Sequence, residues 1–320
     1  PAWIAEASGG DMRVTHAYAL INSPRGGLST AAWCEKFGVT RCHSIEEIIA
    51  KCDGLIVLSP DDPQMHETLC ALPLRCGKPV YVDKTFAPDL ETAKRIIANA
   101  ENTPFYTTSA LRYAEEYRDI DASGATGLFS WGPGQFEIYA IHQIEPIVML
   151  MGEGARRVMC LPGRGLTTLA VEFASGRCAT LACCEAGGDF GMRLFLPEGA
   201  REIRVQSDYF RRFIAKLVAF FRDRKPPVST EETLRGVGIE HAVEEMVVRL
   251  ATMAQKAGID GVVASPREVP LIRVACGRDF LIVTPGVRPS FASTDDQKRV
   301  MTPAEAVATG ADYLVIGRPI

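Results

Sequence analysis

Asp53–Ser59 (DGLIVLS), a stretch from about Gln64 to Cys76 closed by Gly77, and Pro79–Lys84 (PVYVDK) read in turn as strand, helix and strand. The same alternation extends to both sides. Upstream, Val14–Ser23 (VTHAYALINS) reads as a strand and Leu28–Phe37 as a helix closed by Gly38, while Ser44-Ile45-Glu46-Glu47 forms a capping box that opens a short helix. Downstream, Asp89 caps a helix running to about Ala100, and Pro104–Ala110 (PFYTTSA) is one more strand. Short apolar strands separated by helices are the grammar of βαβ units, which give a parallel sheet of the doubly wound class.

Residues 125 to 207 follow a different pattern. Leu166–Phe173, a turn at Ala174-Ser175-Gly176, and Arg177–Cys184 make a hairpin; Met192–Leu196 and Glu202–Gln206 read as further strands, and His142–Met151 as a helix before them. The expectation is an α+β domain with an antiparallel sheet. Asp208–Asp223 is a helix with Phe210, Phe213, Ile214, Leu217, Val218 and Phe221 on one apolar stripe, stopped by Pro226-Pro227, and Ser229-Thr230-Glu231-Glu232 starts another. Past Glu245 the βα grammar returns: Gly261–Ser265, Phe280–Thr284 and Asp312–Gly317 are strands, with helices from about Pro266 to Cys276 and Thr302 to Thr309 between them. The predicted division is 1–120, 121–245 and 246–320.

Composition narrows the classes. The 320 residues are 47% hydrophobic and 23% charged with a net charge of −4, an ordinary globular balance that argues against nucleic-acid or polybasic membrane binding. No apolar run reaches the roughly 18–20 residues a membrane span needs. The ten cysteines are scattered and include no C-x-x-C, so zinc ribbons and dithiol redox motifs are disfavoured, no metal is expected, and a reduced, cytoplasmic setting is the simplest reading. The chain opens on Pro1 rather than Met, which reads as a missing or processed beginning.

Two side chains stand out chemically in the first 245 residues. Lys84 sits at the carboxyl end of a strand, where open α/β sheets bind ligands, and a lysine there can polarise a carbonyl or hold a proton network. A surface lysine capping a strand end is the simpler alternative. His142, at a predicted helix start, could take the proton of a substrate alcohol; with Glu145 it could equally be half a metal site, or be structural.

Together these segments resemble the Gfo/Idh/MocA family of nicotinamide-dependent sugar and polyol oxidoreductases, from about Asp11 to Glu245. The resemblance is carried by Leu58-Ser59-Pro60 with His66, Asp83-Lys84-Thr85, Ser109-Ala110-Leu111-Arg112-Tyr113 and Ile141-His142-Gln143. It implies a truncated Rossmann-type domain, NAD or NADP as cofactor, a small-molecule substrate and a homo-oligomer. It implies Lys84 and His142 as the catalytic pair, and Ser59, Pro60, His66 and Asp83 at the cofactor. Asn22 and Arg25 would lie near the adenosine ribose. Three departures accompany it. No G-x-G-x-x-G occurs, so the strand and loop that seat the pyrophosphate are expected before Pro1; the lysine motif reads Asp-Lys-Thr rather than Glu-Lys-Pro; and Ile138 stands where a carboxylate is expected four residues before His142.

The last 75 residues resemble a second family, orotidine 5′-phosphate decarboxylase, through TPGVRP (284–289), DDQKRVMTPAEA (295–306) and DYLVIGRPI (312–320). Glycine N–H groups and guanidinium groups at these loops can cradle a phosphate, although turn glycines with solvated arginines are an equal reading. The resemblance implies three βα units like the end of a (β/α)₈ barrel, with Arg288, Gln297, Gly317 and Arg318 on phosphate and nucleotide, Ser265 at a strand-six position, and no cofactor. The family's Asp-x-Lys-x-x-Asp array is missing, since Asp296-Gln297-Lys298 is followed by Met301. Three functional readings follow: an oxidoreductase, a decarboxylase in pyrimidine biosynthesis, or an inactive fusion remnant.

Overall fold

The computed structural model describes all residues except 23–25, 60–61, 162, 267, 286, 288–301 and 317–320. The chain divides into two compact units, Pro1–His241 and Ala242–Ile320.

In the first unit Leu55–Val57, Val80–Val82 and Phe105–Thr107 form a parallel sheet in that order. Val80-Tyr81-Val82 is buried throughout, as the middle strand of a covered parallel sheet must be. Its packing partners include Leu74, Phe86, Ala93 and Ile96. Asp89 accepts the Thr92 N–H and caps the helix Leu90–Asn99, as its sequence signal predicts.

Two predicted elements are shorter than their sequence patterns. The strand expected over Val14–Ser23 covers His16–Ala17, paired in parallel with Thr40–Arg41. The helix expected from Gln64 to Cys76 is His66–Cys70 between two 3₁₀ turns, Pro63–Met65 and Pro73–Arg75. Pro73 explains the second break, because a proline cannot continue a helix past its preceding turn.

A six-stranded sheet follows, ordered Gly199–Arg204, Gly191–Leu196, Gly127–Pro133, Cys178–Cys184, Leu166–Phe173 and Ala155–Leu161. The predicted hairpin is present as an antiparallel pair. The sheet as a whole is mixed rather than antiparallel, because Gly127–Pro133 runs parallel to Cys178–Cys184. A parallel neighbour needs a long crossover, supplied here by a helix and two strands. That helix is Phe136–Met151, six residues longer at its start than the sequence predicts. His142 therefore lies mid-helix. Gln143 fixes the helix to the sheet: its Oε1 accepts from Ser130 Oγ at 2.8 Å and its Nε2 donates to the Ala182 carbonyl at 3.1 Å.

Helix Tyr209–Asp223, capped by Asp208, buries Phe213, Ile214, Leu217, Val218 and Phe220. A long helix, Thr230–Lys256, carries the division between the units.

In the second unit Gly261–Val263, Leu281–Pro285 and Tyr313–Val315 form a parallel sheet in chain order, with helices Val269–Cys276 and Pro303–Ala308 as crossovers. Its core is built by Ala251, Ala264, Val269, Ile272, Phe280, Ile282 and Ala311. Arg273 pairs with Asp312 at 2.6 Å, and Asp312 in turn accepts the Ile282 N–H, so one ion pair ties helix and strands together.

Candidate functional site

Lys84 leaves the carboxyl end of the middle parallel strand. Its N–H donates to Asp83 Oδ1 at 2.9 Å, and Asp83 N–H donates to the Val57 carbonyl, so the residue before the lysine is held to the sheet. The Lys84–Thr85 peptide bond is cis. Thr85 Oγ1 donates to Glu240 Oε1 at 3.0 Å.

The ammonium of Lys84 reaches the helix Phe136–Met151 and donates to the Ile138 carbonyl at 3.4 Å. That carbonyl lies one turn before His142, so the lysine and the imidazole share a helix face. One turn beyond His142 is Pro146, which has no N–H to return to the His142 carbonyl. The ring Nδ1 of His142 is 2.7 Å from Ser109 Oγ, and Ser109 also accepts the Leu111 N–H. Burial, and then the charge of Lys84, push the His142 pKa down to about 3. The imidazole is therefore neutral at physiological pH and presents a hydrogen-bonding ring beside a cation.

Beneath this pair lies a charged cluster that the sequence reading does not assemble. Glu145 Oε2 accepts from Thr108 Oγ1 at 2.5 Å and pairs with Arg112 at 3.4 Å, and Arg112 also pairs with Glu232. Burial raises the Glu145 pKa to about 7, against the opposing pull of Arg112 and Thr108. Burial alone would lower the Arg112 pKa, but Glu145 and Glu232 outweigh it and hold it above its ordinary value. Glu145 is thus spent on Thr108 and Arg112 rather than sharing a ligand with His142; among the described residues no cluster of three His, Cys, Asp or Glu side chains has metal-binding geometry. A cavity of about 20 Å³ touches Lys84, Thr107, Arg112, Glu145 and Glu232. It has room for about one water and none for a sugar.

The remaining predicted residues divide by place. Ser59 follows the strand Leu55–Val57, and its hydroxyl donates to the Asp62 carbonyl. Asn22 Oδ1 accepts from the N–H and hydroxyl of Thr30, so it serves the start of helix Thr30–Phe37. His66, assigned by resemblance to a cofactor-lining loop, is wholly enclosed, with Nδ1 on the Phe86 carbonyl at 3.0 Å. Burial of this kind keeps it off any surface a cofactor can touch. Arg25 and Pro60 lie outside the described residues, as do Arg288, Gln297, Gly317 and Arg318. Ser265 is exposed, and its N–H donates to Glu268.

Residues 13–107 match the family described as the oxidoreductase family with an NAD-binding Rossmann fold, and residues 228–320 match the orotidine 5′-phosphate decarboxylase / HUMPS family. Two family matches meet in one chain. The fold of the first part of the chain is similar to UDP-N-acetylglucosamine 3-dehydrogenase from Acidithiobacillus ferrooxidans, with TM-score 0.63 and 13% identity over 75% of this chain and 92% of that one. It is also similar to scyllo-inositol dehydrogenase from Lactobacillus casei with bound NAD(H) and scyllo-inositol, with TM-score 0.61 and 16% identity over 76% and 92%. The decarboxylase segment is 82% identical over 92 residues to orotidine 5′-phosphate decarboxylase of Geobacter metallireducens and 84% identical to that of Geobacter sulfurreducens. Those 92 residues are 29% of this chain, and the chain spans 38% of the length of either relative. The decarboxylase match begins at residue 228, inside the first compact unit. Glu232 and Glu240, the partners of Arg112 and Thr85, therefore come from the decarboxylase-matching stretch.

Proposed function

We propose that the first unit is a nicotinamide-dependent oxidoreductase acting on an alcohol carbon of a sugar-like or polyol substrate. The observation that carries this reading is the meeting of Lys84 and His142 at the carboxyl end of a parallel sheet, on one face of one helix. Lys84, as an ammonium, would hold the substrate hydroxyl and disperse negative charge as it forms on the oxygen. The neutral His142 ring, oriented by Ser109, would accept the hydrogen bond of the hydroxyl, and the proton would pass to solvent as the hydride leaves. A bound nicotinamide would supply the hydride acceptor.

Lys84 and Ser59, at the carboxyl ends of neighbouring strands, fit the nicotinamide end of such a cofactor; the sequence carries no glycine-rich loop for its pyrophosphate. The proposal extends to either NAD or NADP. It further includes self-association, supported by the exposed apolar side chains Phe129, Met159, Leu161, Leu166 and Phe195 on strands of the six-stranded sheet. A cytoplasmic setting is in keeping with the absence of any disulfide among the ten cysteines, and among the described residues no helix is long and apolar enough to cross a membrane.

The test is titration with NADH and NADPH followed by fluorescence. Saturable binding that weakens on Lys84→Ala supports the reading, and no binding to the wild-type chain overturns it. For the second unit, the identity to decarboxylases supports a phosphate-binding remnant using Arg288, Gln297, Gly317 and Arg318. Decarboxylation is not part of the proposal, because no Asp-x-Lys-x-x-Asp array exists to perform it.

A further inference from the structure

We propose that His66 is a positioning residue: from a fully enclosed site it holds the backbone of the Lys84 turn and thereby sets where the Lys84 ammonium points. The inference rests on the reading of Lys84 as the group that holds the substrate hydroxyl, and it replaces the cofactor-lining role that resemblance gives to His66.

The geometry is specific. His66 opens the short helix His66–Cys70, whose neighbours Cys70 and Leu74 pack in the same core as Phe86 and Ala87. The imidazole has no exposed surface, and Nδ1 lies 3.0 Å from the Phe86 carbonyl, two residues after Lys84. A carbonyl oxygen only accepts, so Nδ1 carries the proton and the ring is the Nδ1–H tautomer. Nε2 is then a bare acceptor, and among the described residues it has no hydrogen-bond partner. Leaving a buried acceptor unsatisfied is costly, and an apolar side chain of similar size would avoid that cost. The one thing the histidine supplies that a leucine would not is the Nδ1–H donor on the Lys84 turn.

Burial lowers the His66 pKa, opposed by backbone groups of Phe86 and Thr85 and by Asp62. The Nδ1–H donor is present in the neutral and in the charged ring alike. On the far side of the turn, Thr85 is held by Glu240. Lys84 is therefore carried on a segment fastened at Asp83, Thr85 and Phe86, and His66 supplies the last of these fastenings.

The experiment uses the full chain with His66→Leu and His66→Asn. Asparagine places its amide Nδ2 at the same distance from the main chain as the histidine Nδ1 and keeps the donor. Two readouts follow the turn without needing turnover: the rate at which an amine-reactive ester labels Lys84, read by peptide mass spectrometry, and amide hydrogen exchange over 85–88. Expected for His66→Leu is exchange about fivefold to tenfold faster over 85–88, the factor one net hydrogen bond supports. Faster Lys84 labelling should accompany it, with exchange over 80–82 unchanged. His66→Asn should return both readouts to within about twofold of wild type, since the donor is kept. Equal effects from the two variants, or no change at Lys84 with His66→Leu, would overturn the proposal. Should His66→Leu fail to accumulate, His66→Gln, which carries its amide one carbon too far, takes its place with the same expectation. NADH titration of the wild-type chain decides the oxidoreductase reading separately, because the labelling and exchange readouts do not depend on it.

Discussion

The two units of this chain reverse the usual relation between sequence likeness and structural completeness. The decarboxylase-matching segment is 82–84% identical to its relatives, yet the chain spans 38% of their length. The dehydrogenase-like fold is 13–16% identical to solved dehydrogenases, yet the chain covers 92% of them. The first unit buries the strands Val80–Val82 and Phe105–Thr107 throughout and pairs Arg112 with Glu145 and Glu232. The second buries one face of its sheet against helices, and leaves Val263, Tyr313 and Val315 between 51% and 71% exposed. A barrel interior needs side chains from all its strands, and the described residues of this unit provide three. High identity here preserves local βα units, while low identity preserves a covered sheet with a site at its end.

If that contrast is sound, the largest response to mutation lies in the charged cluster of the first unit. Arg112→Ala leaves Glu145 and Glu232 facing each other in a poorly solvated place. The loss should be about 3–5 kcal/mol of stability in a denaturant melt, as for other broken buried ion pairs. A loss below about 1 kcal/mol would show the cluster to be solvated like a surface pair.

Glu145 sharpens the same point through pH. Its folded pKa, about 7, is raised from 4.5, so the fold favours the neutral carboxyl. The stabilisation is complete below 4.5 and is lost as pH rises through about 7. Between those values wild type should lose on the order of 3 kcal/mol relative to Glu145→Gln, which keeps the shape and has no such titration. Parallel stability curves for the two proteins would contradict the raised pKa.

The smallest effect is expected in the second unit. Val263→Lys and Val315→Lys place charge on the exposed sheet face and should change the melt by no more than about 0.5 kcal/mol. Light scattering at raised protein concentration should fall, because an apolar face and strand edge are partly masked. Loss of folding on either substitution would mean that this face is covered.

The parallel strands were legible because Val80–Val82 and Leu55–Val57 are continuous apolar runs, and the caps at Ser44 and Asp89 because side-chain spacing alone defines them. Lys84 was legible from its place at a strand end. The start of helix Phe136–Met151 was not: Phe136, Ile138 and Tyr139 favour strands locally, and packing through Gln143 against the six-stranded sheet overrides that preference. The Arg112 cluster could not be read at all, since its partners lie 33 and 120 residues away in the chain. His66 was visible as a residue but its enclosure was not, because burial belongs to the tertiary fold.

Lys84 and His142 form one electrostatically coupled site. The most direct test is the pKa of the His142 ring by NMR, in wild type and in Lys84→Met. In wild type the ring should remain neutral down to about pH 4, its pKa lying near 3. Lys84→Met should raise that value measurably while leaving it below the ordinary imidazole range of about 6.5, because burial is the larger cause. A wild-type ring that titrates near 6.5, or a pKa that does not move when Lys84 is removed, would contradict the account.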